Sequence, residues 1–595
     1  MKFNISRLIA AAIATLLGLT SCVTIDEKLG GNFIPTDQTW NVFPCDQVAL
    51  EGITLRQSDY LTGYSTSRIT FGSIKDNGFG CNKASSFTLV PLMDTLDFGE
   101  NHEVLQFHFT AARDTLSTLK DNDLKILQNV YVRPLKKPLD STILYVGQFT
   151  DKAKLNEYVD MDKIITAGIP VYNGGDSLSF DFSKEYAEQV INGIKEWQAL
   201  DQEKRDSLSK YLEKVPGIYI ESDNQTTDGG RINMFELPIS ASDGYIQANY
   251  AELKIRSTYD GRQTDTMFVF YFGPSEFLTE ESTSYPSQYA FNTSDNYAGE
   301  DFIQAWEGGN RSELVIEGGS GYKPVVKASE IKEIVSRLID EQAQKTNIDP
   351  DKVVINKATI ILPFNVGADY ELMDRYPDML SPTVRLESDD EKYVTYAGLT
   401  DSSIESENQG DINRSLFRYQ PDMSHHIQEI VKLKQGVGED VNANETDEEF
   451  EKRLAKYDIW FLIMHEEIQK EASGSSSSYD DYYNSLMYNS YYNNMMYDPY
   501  GYGYGYGGYG YGYGGYGYGY GDYGYNNYYN YYMMAAYANA SSSSSTTTSS
   551  MELDRDRFYN ARLNGPGAAT DKPSLKITFS APKQAENGNV AKNSW

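Results

Sequence analysis

Histidine, cysteine and cationic side chains are what this sequence is short of. Its 595 residues hold five histidines and three cysteines, too little imidazole and thiol for soft-metal clusters or extended thiol chemistry. Against 85 Asp and Glu stand 52 Lys and Arg, a formal net charge of −33. Nucleic-acid phosphates would repel so acidic a chain, which argues against nucleic acid as a partner and against docking through a basic face onto anionic lipid. Beyond the first twenty residues no hydrophobic run approaches the length of a bilayer span. A nucleophile elbow, a zinc motif and a phosphate loop are all missing. Acids abound, but nothing singles out a catalytic pair. We therefore expect a non-enzymatic protein with no metal and no cofactor. The charge reads as the solubility of a large exposed surface.

What is present begins at the N-terminus. Lys2 and Arg7 form a short positive region, and Leu8 to Leu19 is an apolar run too short for a permanent span. The run ends Leu19-Thr20-Ser21-Cys22, which resembles the bacterial lipobox, where the chain is cut before the cysteine and its thiol is alkylated by diacylglycerol. Residues 1–21 are then a lipoprotein signal peptide and Cys22 the lipidation site. Two or three acyl chains, at about 0.8 kcal/mol per buried methylene, anchor durably where one does not. The competing reading is an ordinary secretory signal that happens to end near a cysteine. Both readings export the chain. Residues 22–40, with Gly30-Gly31 and Pro35, lack periodicity and read as a tether. Outside the cytoplasm Cys45 and Cys81 form a candidate disulfide, with two buried thiols as the alternative.

The fold expected is mainly β with minor α, in two domains with packed helices; the strands at Asn356-Lys357-Ala358 and Leu575–Phe579 resemble those of carbohydrate-binding sandwich folds, and that resemblance implies two jelly-roll-like β-sandwich domains. In the first, 41–285, apolar and polar residues alternate through Ile69–Gly72, Ser86–Val90 and Val104–Phe109, with turns at Gly78-Phe79-Gly80 and Pro91. Strands continue through Asp123–Pro134. Within 183–214, Tyr186, Val190, Ile194 and Trp197 recur at helical spacing. Asp201 could cap a second helix, which Pro216-Gly217 ends. Asp265 to Phe272 is apolar on both faces and reads as a central strand. His102 and His108 read as satisfied strand residues, and the neighbours His425 and His426 point in different directions, so neither pair reads as a metal site.

The second domain, 286–580, contains the glycine cluster Glu317-Gly318-Gly319-Ser320-Gly321, a tight turn or close backbone approach. Helices are expected over Ala328–Lys345 and within Ser415–Lys434, and strands over Val353–Phe364, Tyr457–Met464 and Ser574–Phe579. Residues 473–550 break the pattern with Ser runs and a Gly-Tyr repeat, almost without aliphatic side chains, and are expected to be a disordered Tyr/Gly-rich insert. Because strand-like sequence resumes after it, the insert leaves and re-enters the β domain through one loop. Residues 581–595 read as a tail.

A resemblance rests on several pieces in order: Asp76 to Ala84, Pro216-Gly217-Ile218-Tyr219-Ile220, Phe291 to Gly299, Ile316 to Gly321, Ile355-Asn356-Lys357-Ala358, Tyr376-Pro377, and Arg562-Leu563 with Lys576-Ile577-Thr578-Phe579. Together they resemble a family of Bacteroidota cell-envelope lipoproteins carrying a large domain of unknown function. Here Glu317 stands where that family usually has glutamine. The resemblance implies an outer-membrane lipoprotein, more at the cell surface than on the periplasmic face, and brings no catalytic residues. In that phylum O-glycans are added at Asp-Ser/Thr followed by an apolar residue or Thr. The matching positions are Thr95, Thr115, Ser141, Ser177 and Ser207; Thr266 also matches but leads into a strand. The expected partners are the membrane, through the N-terminal lipid, and another outer-membrane protein or complex, with glycans as the alternative.

Overall fold

The computed structural model describes residues 40–583, except 59–62, 67, 92–95, 140–151, 238–239, 243–244, 248, 278–287, 298, 368–369, 388–393, 400, 402–407, 439–440, 470–547 and 555. Strand makes up 46% and helix 23% of the described residues, so the fold is mainly β, and every pairing between their strands is antiparallel.

The first unit is organised by one strand, Glu100–Thr118. Its N-terminal half pairs with Tyr250–Tyr259 and its C-terminal half with Gly229–Glu236. Register slips in both ladders let the strand bend from one sheet half into the other. Phe107 and Phe109 therefore point into a core shared by both halves, where Phe109 stacks on Phe180 at 4.4 Å and on Phe272 at 4.6 Å between ring centres. The helix Lys184–Gln198 starts at Ser183, whose hydroxyl accepts from the Tyr186 amide. It covers this core with the expected Tyr186, Val190, Ile194 and Trp197, each side chain contributing about 1.5–3 kcal/mol through burial.

The second unit packs two sheets around a separate core. One sheet runs Trp40–Ala49, Ser574–Pro582, Val354–Pro363, Arg418–Tyr419, Ile412–Asn413; the other is built on Ile459–Gln469 and Met379–Glu387. Ile360, Ile577 and Phe579 from the first meet Leu380, Phe461 and Ile463 from the second, with the helix Ala328–Thr346 contributing Ile331 and Val335.

Several expectations are corrected. The division at 285/286 does not follow the sheets. Trp40–Ala49 pairs with the last strand and Thr54–Gln57 with Tyr322–Val326, so both belong to the second unit, while Ala290–Tyr297 pairs with Phe79–Phe87 and belongs to the first. Arg262–Phe272 is not central: among the described residues its only outer neighbour is the three-residue Leu89–Pro91, and Met267 is exposed. Beyond Asp201, which makes no side-chain cap bond, the second helix is split into Gln202–Arg205 and Leu208–Leu212. The helix expected within 415–434 is present as Ser424–Lys432, after Arg418–Tyr419, which is drawn into a sheet. No disulfide joins Cys45 and Cys81. Cys45 lies opposite Ile577 in the second unit and Cys81 opposite Ile74 in the first, so they are held in different sheets. The last strand extends to Pro582, into the stretch read as a tail.

The insert enters and leaves as expected through one hairpin: Ile459–Gln469 pairs with Thr548–Leu553, and Gln469 lies opposite Thr548. The strand claims residues 548–550, which the sequence pattern assigned to the insert; the rest of the expected disordered segment lies outside the described residues. Since loop-closure entropy grows as (3/2)RT ln n, replacing 473–545 by a six-residue Gly/Ser linker is expected to stabilise the protein by about 2 kcal/mol. Chemical denaturation that instead showed a lower midpoint would mean that the insert packs on the fold.

Candidate binding surface

The strand Gln128–Pro134 alternates cleanly: Gln128, Val130 and Val132 are buried, and Asn129, Tyr131 and Arg133 face outward. Its outer neighbour is a run that touches it intermittently. Val171–Tyr172 pairs with Asn129 and Gln128, the Val130 amide donates to Pro170 O (2.9 Å), and the Ile165 amide donates to Val132 O (3.0 Å). Pro170 removes a donor and the run around Gly168 is irregular, so Ile165 and Tyr172 enter the core while Ile164, Ile169 and Val171 stay outside it. Leu127 (70% exposed), Val171 (55%), Ile169 (52%) and Leu124 (41%) are left at this sheet end, with Ile164 further along. Contiguous exposed aliphatics are uncommon on a folded surface, which makes this sheet end a candidate for contact. Its rim is polar: Asp223 accepts from Asn129 Nδ2 (2.6 Å) and from the Tyr131 hydroxyl (2.6 Å), and Arg133 pairs with Glu221 at 2.8 Å. The bond to Asp223 pushes the Tyr131 phenol above its ordinary value.

Behind this surface lies Arg231, fully buried. Its guanidinium donates to Leu124 O (2.7 Å), Tyr172 O (3.2 Å) and Asn233 Oδ1 (2.6 Å). Asn233 in turn donates to Gln128 Oε1 (2.9 Å), and Gln128 returns a bond to Arg231 O (2.8 Å). One side chain thus braces both the Asp121–Lys125 turn and the Val171–Tyr172 strand from inside. Burial pulls its pKa down from the ordinary guanidinium value. Gly174 completes the brace: at φ +78° it sits so close to Leu124 O that a Cβ would lie 2.1 Å from that oxygen.

The glycine cluster of the sequence forms the joint between the units. Ser320 Oγ donates to Ser294 O (2.8 Å) and Asn296 Nδ2 to Gly318 O (3.2 Å). Nearby, Thr70 Oγ1 donates to Asp556 (3.1 Å), and Arg562 lies 4.5 Å and 4.6 Å from the ring centres of Phe79 and Phe302. The expected close approach is present: a Cβ on Gly318 would stand 2.4 Å from Arg557 O, and Gly319 has φ +52°. Inside the turn the buried Lys323 ammonium donates to Glu317 O, Gly319 O (3.2 Å) and Gly321 O (3.2 Å). Glu317 is equally buried; Oε2 accepts from the Tyr322 amide (2.9 Å), while Oε1 has no hydrogen-bond partner. Burial lifts the Glu317 carboxyl to about 7 and lowers the Lys323 ammonium to about 7, each partly offset by the other's charge.

A cavity of about 300 Å³ lies between the Thr54–Gln57 strand and the Glu300–Glu307 helix, lined by Leu55, Arg56, Ile303, Trp306, Tyr322 and Lys327 among others. Arg56 is already committed there, paired with Asp458 at 3.1 Å and set 5.8 Å over the Trp460 ring. Each histidine singled out in the sequence has a partner. His102 Nε2 is 3.0 Å from Glu188, His108 Nδ1 is 2.6 Å from Asp181, and His426 Nε2 is 2.9 Å from Tyr457 O. The amides of His425 and His426 donate to the Asp401 carboxylate at the start of their helix. Among the described residues no three His, Cys, Asp or Glu side chains gather as a metal site. Cys81 Sγ is 3.2 Å from Ser294 Oγ, and burial pushes its thiol up.

Of the positions expected to carry modifications, Ser177 is exposed at the start of the Ser177–Asp181 strand. Thr115 is half-buried opposite Met234 in a ladder, and Ser207 is half-buried with its hydroxyl 2.8 Å from Ser209 Oγ. Leu19, Thr20, Ser21, Cys22, Thr95 and Ser141 lie outside the described residues. The apolar surface itself was not anticipated. Leu124 was assigned to an ordinary strand, and the only hint was Ile126-Leu127, two adjacent aliphatics that cannot both face inward. Comparisons with protein-family models, with curated proteins and with solved structures find no match.

Proposed function

We propose that this chain is an outer-membrane lipoprotein, held by lipid on Cys22 at the cell surface, that acts by contact as a binding or scaffold component of an envelope protein complex. The observation that supports it best is the braced aliphatic surface of Leu124, Leu127, Ile169 and Val171, apolar at its centre and polar at its rim, as protein interfaces are. The lipobox-like Leu19-Thr20-Ser21-Cys22 supports the compartment. The partner fitting this surface is a protein presenting an apolar face of its own, since a carboxylate-rich chain gains little from charge alone.

Affinity capture of the full chain from detergent-solubilised envelopes, with crosslinking, tests the reading. A discrete partner is expected with the wild type. Leu127→Glu combined with Val171→Glu, which places carboxylates in the apolar centre, is expected to weaken capture at least tenfold, as the loss of a central contact worth about 2 kcal/mol or more would. Recovery of the chain alone, or of the same partner in equal yield with both variants, would sink the proposal.

A further inference from the structure

A second exposed apolar stripe lies on the other unit, beside the tether. In the sheet of Trp40–Ala49, Ser574–Pro582 and Val354–Pro363, one face enters the core through Phe43, Ile577, Phe579 and Ile360. By alternation the opposite face of the same strands carries Trp40, Val42 and Pro44, then Thr578 and Ser580, then Val354, with the small Ser580 itself buried between its neighbours. Register aligns them: Val42 is opposite Ser580, and Ser580 is opposite Val354. Trp40 (49% exposed), Val42 (62%) and Val354 (44%) remain open. Further along the same face stand Lys357 and Lys576, both exposed, with Lys357 paired to the nearly buried Asp422 at 3.4 Å. A tryptophan and valines at one end, with lysines behind them, is the composition of a surface that sits at a bilayer interface. It occurs in a chain whose overall charge is −33.

We infer that this stripe rests on the lipid headgroup region of the membrane that holds the Cys22 anchor, an inference that builds on the lipidated reading above. Trp40 follows Cys22 by 18 positions. A segment of that length spans at most about 60 Å when extended and about 25 Å on average as a coil, so the stripe cannot leave the neighbourhood of the bilayer once the cysteine is acylated. The tether and the stripe then hold the second unit against the membrane in one orientation.

The test uses the full mature chain reconstituted in phosphatidylethanolamine/phosphatidylglycerol liposomes with brominated acyl chains, with acylation of Cys22 read separately by mass spectrometry. Brominated lipid is expected to quench part of the tryptophan emission of the wild type, and Trp40→Phe to abolish that part. Val42→Asp with Val354→Asp is expected to reduce it at least threefold while leaving near-ultraviolet circular dichroism unchanged. Acylated protein with equal quenching in wild type and Trp40→Phe would overturn the membrane-resting stripe and leave the anchor standing. An unmodified Cys22 would overturn the anchor, and with it the stripe's role.

Discussion

Arg231→Met is expected to lower the stability of the protein by about 3–5 kcal/mol, the cost of removing one partner from a buried charged network. The side chain is fully buried and reaches three separate pieces of chain, through Leu124 O, Tyr172 O and Asn233 Oδ1. Methionine fills much of the volume but leaves two backbone carbonyls and an amide oxygen without donors, each costing about 1–3 kcal/mol. Arg231→Lys keeps the charge but cannot span all three acceptors, and should fall between the two. Denaturant unfolding measures the loss. Partner capture gives an independent readout: because Leu124 and Tyr172 are the carbonyls that Arg231 holds, the variant should weaken binding even where it remains folded. Stability within 1 kcal/mol of wild type would show that the brace is dispensable.

Lys323→Met should have an effect of similar size, about 3–5 kcal/mol, for a related reason. It strips the donor from the carbonyls of Glu317, Gly319 and Gly321 and leaves the buried Glu317 carboxyl without its countercharge. Adding Glu317→Gln to it should recover part of the loss, since the remaining buried acid is then removed. The pair also sets a pH response. Burial raises Glu317 from 4.5 to about 7, so the folded state holds that proton longer; the stability this gives is full below about pH 4.5 and is lost as pH rises to about 7. Burial lowers Lys323 from 10.5 to about 7, so its cost is present below about pH 7 and is relieved as pH rises toward 10.5. The two limbs make the joint weakest near neutrality. Over pH 4.5–7 the stability of the wild type should fall relative to Glu317→Gln. A difference that stays flat across this window would show that Glu317 does not titrate there.

The sequence carried the periodic elements well and the long-range pairings poorly. The Ala328–Thr346 helix, the Val354–Pro363 strand and the stripe of Tyr186, Val190, Ile194 and Trp197 were legible because their apolar spacing is local. The partner of Trp40–Ala49 was not, because nothing local says that it pairs with a strand over five hundred residues away. Arg262–Phe272 was misjudged for another reason: an apolar run does not reveal whether a neighbouring strand is long enough to cover it. The glycine turn was recognised as a close approach, yet the ammonium inside it was invisible, since a lysine two residues after a turn ordinarily faces water. Arg231 escaped for the same reason. Buried cations are rare enough that sequence patterning assigns them outward by default.

The pairing of Trp40–Ala49 with Ser574–Pro582 has a consequence for biogenesis. The strand Trp40–Ala49 leaves the ribosome early and, among the described residues, pairs with no strand but Ser574–Pro582, so it has no mate until almost the whole chain has been made. Its sheet can close only then, so a product cut short before Ser574 carries an open, partnerless ribbon, and quality-control proteases have a ready mark by which to tell it from a finished molecule.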